Sequence, residues 1–269
     1  MSVTYPLGFR AGGIQAGLRT TPGLDLALIV NDGPADVVAG VFTTNRVCAA
    51  PVQWSRHVTA DHKARAVIAN AAVANACTGI DGFADCDITF SRVDSDACMS
   101  TNDTVVAMAS GASGISLTGD ELTDALTELC AILARQLVAD AEGSHHDVKV
   151  TVTGAISTEA AVAVAREVTR SNLVKTAIAG NDPNWGRILA AIGCVPENVA
   201  PFDPDQVDVS INDIQICKAG GIGEDRNLVD MRPREVHIDI ELHAGDAEAA
   251  VWTNDLTHQY VEENSEYTS

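Results

Sequence analysis

Aromatic residues are scarce. Phe, Trp and Tyr make up 4% of a 269-residue chain that is 46% hydrophobic overall. Its core must therefore be packed mainly with Ala, Val, Ile and Leu, which suits layered α/β structure. Positive charge is scarce too: Lys and Arg number 17 against 37 Asp and Glu, a formal charge of −20. Such a surface repels a nucleic-acid backbone and no basic patch offsets it, so nucleic acid is excluded as a partner. The acidity points to solubility instead. No apolar run is long enough to span a bilayer, and no membrane partner is expected. Met1–Pro6 carries neither a charged nor an apolar leader region, so it does not read as a signal peptide. The seven cysteines (48, 77, 86, 98, 130, 194 and 217) form no C-x-x-C pair. That pattern reads as reduced thiols in a cytoplasmic protein. There is no G-x-G-x-x-G, no P-loop lysine, no internal repeat and no low-complexity tract.

What is present is a succession of short apolar segments with turn chemistry between them. Residues 8–18 hold several glycines and read as loop or tight strand turns. Strands are expected at 25–30 and 37–43, separated by the turn Asn31-Asp32-Gly33-Pro34. Ala49-Ala50-Pro51-Val52 leads to a third extended piece, and 65–70 is a fourth. The small residues of Asn75-Ala76-Cys77-Thr78-Gly79 fit either a substrate loop or a packed strand-to-helix turn, and no base near Cys77 makes it a nucleophile. Residues 83–99 switch from helix-like to strand-like pattern with no turn residue between, a local conflict. Ser100-Thr101-Asn102-Asp103-Thr104 has the composition of a helix cap, predicting a helix over 105–109 closed by Gly111 to Gly114.

Thr118-Gly119-Asp120-Glu121 caps a long amphipathic helix with apolar residues at 122, 125, 126, 129, 133 and 137. It should stop at Asp140-Ala141-Glu142-Gly143. Two acids there oppose the helix macrodipole, which marks Glu142 as a candidate functional residue. His145, His146 and Asp147 lack a third ligand at metal spacing, so no metal is expected. A strand follows at 149–153 and an Ala-rich helix at 158–169; later strands are expected at 207–211, 214–217, 236–242 and 249–252. Thr253-Asn254-Asp255-Leu256 caps a short last helix, and the polar tail beyond would ordinarily fray.

The most distinctive stretch is Asn181-Asp182-Pro183-Asn184-Trp185-Gly186-Arg187. Asp182 before proline is pushed toward extended geometry, and Asn184 is an N-cap for the apolar run after it. Two readings stay open on these residues alone. One is an anion site at a helix N-terminus; the other is a well-capped turn over an Asp182–Arg187 pair.

Several stretches together resemble the ornithine acetyltransferase family, the bifunctional glutamate N-acetyltransferase of arginine biosynthesis. They are Gly8-Phe9-Arg10-Ala11, Gly40 to Asn45, Ala49 to Val52, Asn75 to Gly79, Ser100 to Thr104, Asp140 to Gly143, Lys175-Thr176-Ala177, Asp182 to Arg187, Tyr260-Val261 and Asn264 to Tyr267. They follow family order along nearly the whole chain. The resemblance implies an α/β fold, layered, with sheets sandwiched by helices and two lobes meeting at the active site. It implies acetyl transfer from N-acetylornithine to glutamate, with no cofactor; acetyl-CoA is a second candidate donor. Partners are small-molecule substrates, and a homo-oligomer is implied. The Asp182 to Arg187 motif then reads as structural support near the substrate cleft.

Residues 1–86 resemble the family's first subunit and 87–269 its second. The family's large block between these stretches is missing here, with the junction near 83–99. That block carries the Ala-Thr self-cleavage site, the nucleophilic Thr, the oxyanion Thr-Gly and a substrate Lys; no Thr in this chain follows an Ala. No catalytic residue is therefore assigned, and little transfer is expected. Thr78, Thr101 and Cys77 are the only substitute nucleophiles in matched loops. By motif match Glu142, Asn264 and Ser269 correspond to substrate-binding residues, which makes the tail a pocket wall. The alternative is a non-catalytic remnant that binds an amino acid or pairs with another subunit.

Overall fold

The computed structural model describes residues 2–17, 22–70, 92–95, 100 and 102–266. The expectations placed on 75–79, on Cys77, Thr78 and Thr101, and on Ser269 lie outside the described residues. By its internal contacts the chain divides into two units. One comprises residues 1–87, 99–128 and 269; the other comprises 88–98 and 129–268. The architecture is α/β.

In the first unit, β1 (Phe9–Ile14), β2 (Leu26–Asn31) and β4 (Ala66–Asn70) form an antiparallel sheet in the order β1-β2-β4. The glycine-rich start is thus a strand, not a loop. Six registered pairs with β2, from Phe9 opposite Asn31 to Ile14 opposite Leu26, override the local glycine preference. β3 (Val37–Phe42) pairs with β5 (Thr104–Ala109). The helix expected over 105–109 is therefore a strand. Its β-branched Thr104, Val105 and Val106 suit a pleated ribbon, and the Ser/Asn cluster before it forms turn bonds such as Asn102 N–H to Ser100 Oγ at 3.0 Å. The extended piece expected after Ala49 is also corrected: it is α1 (Ala50–Val58). Pro51 falls in its first turn, where a fixed φ favours helix and no N–H is needed. Leu28 and Ile68 face each other across β2 and β4, yet are 43% and 70% exposed. The sheet thus keeps an uncovered apolar face.

α2 (Gly119–Ala139) begins in the first unit and ends in the second. Its start is a capping box: the Thr118 N–H donates to Glu121 Oε2 at 2.8 Å, and the Glu121 N–H to Thr118 Oγ1 at 3.3 Å. The Thr118 N–H, and the Thr118 hydroxyl that also donates to Glu121 Oε2, hold the Glu121 carboxyl below its usual range.

The second unit is built on a six-stranded sheet, ordered β11-β6-β10-β7-β8-β9. The strands are β6 (Asp147–Ala155), β7 (Asp208–Ile211), β8 (Ile214–Lys218), β9 (Gly221–Ile222), β10 (Glu235–Glu241) and β11 (Ala247–Asn254). β10 runs parallel to β6, with Val236, Ile238 and Ile240 beside Val148, Val150 and Val152. All six are buried. Alternation at period two puts them on one face, and α3 (Thr158–Arg170) buries Ala161, Val164, Ala165 and Val168 in the same core. Small residues on α3 let helix and sheet approach closely, which is how a core almost free of aromatics fills its volume.

α4 (Asn172–Ala179) and α5 (Trp185–Ile192) follow. Asn184 caps α5 as expected, accepting from the Arg187 N–H at 3.2 Å. The Asp182–Arg187 pair is not formed. Asp182 takes Arg226 at 2.7 Å, while Arg187 Nη1 donates to Leu173 O at 2.7 Å, tying α5 to the start of α4. The motif's side chains bind their own scaffold. The chain closes with α6 (His258–Glu266), an ordered helix where a polar tail would fray.

Candidate functional site

Of the three residues expected to touch substrate, the structure describes two and brings them together. Glu142 lies in the loop after α2, and Asn264 lies on α6. Asn264 Nδ2 donates to Glu142 Oε2 at 3.1 Å and to Tyr260 O at 3.0 Å. Both residues are exposed, so a solute can reach them. Ser269 lies outside the described residues.

The loop that carries Glu142 is fixed by residues that sequence reasoning missed. α2 ends at Ala139, earlier than Gly143. Its last carbonyls are claimed from elsewhere: Val138 O accepts from Asn254 Nδ2 at 2.7 Å and Ala139 O from Arg234 Nη2 at 2.6 Å. The Arg234 cation offsets the acids placed at this helix end, so their position is no anomaly. Arg234 is itself held at Asp147 at 2.9 Å, which raises its already high pKa. Gly143 does not stop the helix. It adopts φ +59°, and a Cβ there would lie 2.3 Å from the Tyr260 nitrogen, so glycine is required by close backbone contact.

The segment expected to cap the last helix, 253–256, is not its cap: that helix starts at His258 and its first turn is capped by Thr257. Thr253, Asn254, Asp255 and Thr257 are all buried, and the last three converge on the loop at 143–146. Thr253 Oγ1 donates to Asp94 O at 2.7 Å. Asn254 Nδ2 also reaches Ser144 Oγ at 2.9 Å, and Asn254 Oδ1 accepts from Ser95 Oγ at 2.7 Å. Asp255 Oδ1 accepts the N–H groups of His145 and His146, at 2.9 and 3.0 Å. Thr257 Oγ1 donates to Gly143 O at 2.6 Å and accepts from the Tyr260 N–H at 3.0 Å, so the cap lies one residue beyond the expected segment. A polar run longer than a cap needs was the one available signal.

His146 is buried between two oxygens. Its Nδ1 faces Asp255 Oδ2 at 2.8 Å and its Nε2 faces Met231 O at 3.0 Å. A carbonyl only accepts, so Nε2 is the nitrogen that donates to Met231 O, and Nδ1 faces the carboxylate. The ring is used structurally. Among the described residues no group of three His, Cys, Asp or Glu could hold a metal ion.

A second buried polar group sits beside the first. The chain at 92–95 adds to the edge of β11: the Trp252 N–H donates to Arg92 O at 2.7 Å and the Asp94 N–H to Trp252 O at 2.8 Å. Asp94 is buried and meets Arg170 Nε at 2.7 Å. Loss of hydration outweighs the pull of Arg170, Arg166 and Lys175, and pushes the Asp94 carboxyl above its usual range. Lys175, from the matched Lys175-Thr176-Ala177 stretch, donates through Nζ to Ser95 O.

The ArgJ family model matches residues 10–89 and 84–269. The chain is 40% identical to the arginine biosynthesis bifunctional protein ArgJ of Bifidobacterium longum and 38% identical to that of Streptomyces coelicolor, each match covering 100% of both chains. The crystal structure of ArgJ from Bacillus halodurans superposes with a TM-score of 0.61 at 35% identity, covering 67% of this chain and 88% of that one. The chain belongs to the ArgJ family, whose curated members bear the name arginine biosynthesis bifunctional protein. The Bifidobacterium alignment runs over 391 positions against 269 residues here, so at least 391 less 269, or 122 positions, face a gap. Among the described residues no helix is long and apolar enough to cross a membrane.

Proposed function

We propose that this chain is an acetyltransferase-family protein of arginine biosynthesis that keeps an amino-acid binding wall and has lost its acyl-transfer centre. The parent reaction moves an acetyl group from N-acetylornithine to glutamate, through an acetyl ester on a Thr hydroxyl. It needs no cofactor, and acetyl-CoA is a possible second donor. It belongs in the cytoplasm, in a homo-oligomer. Without the Thr segment the ester has no place to form, so this chain is catalytically impaired.

One observation carries the binding half of the reading: Asn264 and Glu142, 122 positions apart, meet at 3.1 Å on an exposed surface. An exposed carboxylate with an amide beside it suits an amino acid's ammonium group. Ser269, by the same motif match, extends this wall. Two measurements test the proposal. Acetyl exchange between N-acetylornithine and glutamate should be at background, and robust turnover would overturn the claim of impairment. Calorimetry with ornithine should detect binding, and its absence would overturn the wall.

A second reading, a subunit-pairing remnant, is favoured by the surface of α2. Leu129, Leu133 and Leu137 follow helical spacing yet are 37%, 36% and 59% exposed. Co-elution with a full-length family member, absent in a Leu133→Glu variant, would support this reading over simple binding.

A further inference from the structure

We propose that the Thr257 hydroxyl is a positioning group that sets the separation of Glu142 and Asn264; this rests on reading those residues as the amino-acid wall. One buried oxygen joins their two supports. Thr257 Oγ1 donates to the carbonyl of Gly143, next to Glu142, at 2.6 Å. It accepts from the Tyr260 N–H at 3.0 Å, and Tyr260 O accepts from Asn264 Nδ2 at 3.0 Å. A hydroxyl has one proton and two lone pairs, so it makes both bonds at once in a single geometry. The path from Glu142 to Asn264 therefore runs loop carbonyl, Thr257 hydroxyl, first turn of α6, Asn264 amide.

Two neighbours leave the loop little other freedom. Gly143 packs its backbone on the start of α6, where a Cβ would lie 2.3 Å from the Tyr260 nitrogen. Asp255 holds the far end of the loop through the N–H groups of His145 and His146. Of the buried side chains that hold the loop, Thr257 bonds the residue next to Glu142 in sequence. The direct Asn264–Glu142 bond is exposed to water and holds neither partner strongly. The distance is thus decided by where the first turn of α6 sits against Gly143, and a binding pair loses affinity when its support loosens by fractions of an ångström.

The test uses the full chain with Thr257→Val, which keeps the shape and removes the hydroxyl, and Thr257→Ser, which keeps the hydroxyl. Ornithine is titrated by calorimetry, and exchange of the Tyr260 amide is followed in parallel. The Val variant should bind ornithine about tenfold more weakly, the equivalent of one to two lost hydrogen bonds, and the Ser variant within about twofold of the parent. Parent-like affinity in the Val variant, or a Ser variant as weak as Val, overturns the proposal. Should the Val variant lack a cooperative melt, Thr257→Ala repeats the comparison without the added methyl. If the parent chain binds no ornithine, the reading of the wall fails, and the positioning role is judged on exchange alone. Faster Tyr260 exchange in Val but not Ser then supports it, and equal protection in all three overturns it.

Discussion

The Asn264 amide donates to the Glu142 carboxylate at 3.1 Å, joining the last helix of the chain to the loop that follows α2. Asn264 is held within its own helix by Tyr260 O, and that helix and the Glu142 loop share distant anchors. Glu142 is carried on a loop whose carbonyls and amides are bound by Thr257, Asn254 and Asp255, and Asn264 rides on a helix whose first turn is anchored at the same place. The exposed pair therefore reports on a buried polar corner, and that corner makes most of the predictions.

Glu142→Gln keeps the shape of the side chain and removes its charge. If Glu142 meets the ornithine ammonium, affinity should fall about tenfold or more, since a hydrogen bond to a charged group contributes about 1.5–3 kcal/mol. Calorimetry reads this, and the melting temperature should barely move because the residue is exposed. Unchanged affinity would place the ammonium elsewhere.

Gly143→Ala should be costly although it adds only one methyl group. The residue sits at φ +59°, and the new Cβ would meet the Tyr260 nitrogen at 2.3 Å. Left-handed geometry alone costs about 1–2 kcal/mol for a residue with a Cβ, so a total loss of about 2 kcal/mol or more is expected. Denaturant titration measures it, and a loss under about 0.5 kcal/mol, the usual surface range, would show that α6 moves aside freely.

Asp255→Ala leaves the His146 ring and two backbone N–H groups without their acceptor. The His146 and Asp255 side chains are only 7% and 0% exposed, so water cannot substitute. The expected cost is about 3 kcal/mol. Asp255→Asn retains one acceptor oxygen for the two N–H groups and should lose less. Equal losses in the two variants would assign the whole effect to the His146 pairing.

Asp94 predicts a pH dependence whose sign follows from its direction of shift. Its carboxyl is raised above the ordinary value of 3.8 by loss of hydration. The folded chain then holds this proton more tightly than the unfolded chain does. The resulting contribution to stability is fully present below about 3.8 and is lost as pH rises through the folded-state value. Asp94→Asn should flatten this part of the profile. Urea midpoints across the acidic range would reveal it, and identical profiles for parent and variant would remove Asp94 as the cause.

Much of the scaffold could be read from local pattern. Val148, Val150 and Val152 alternate along β6, and Val236, Ile238 and Ile240 along β10, because each strand buries one face. Thr118 and Glu121 announced the start of α2, because a capping box is complete within four consecutive residues. Two expectations failed where a distant partner overruled local preference, whereas the helix at 50–58 carries a local start signal in Pro51. β1 is a strand despite its glycines because β2 pairs with it, and 104–109 is a strand because β3 does.

The site divides along the same line. Glu142 and Asn264 are candidates because they sit in stretches with a family signature, and the absence of an Ala-Thr dipeptide is a plain fact of the 269 residues. Family membership follows from residue order, and the proposal of a missing nucleophile segment rests on it too. That Asn254, Asp255 and Thr257 are buried, and that all three bind the loop at 143–146, does not follow from it. A polar residue looks the same in sequence whether it faces water or a carbonyl 114 positions away, as Thr257 faces Gly143. Its partner exists only once the chain has packed, because burial removes water and leaves one acceptor within reach.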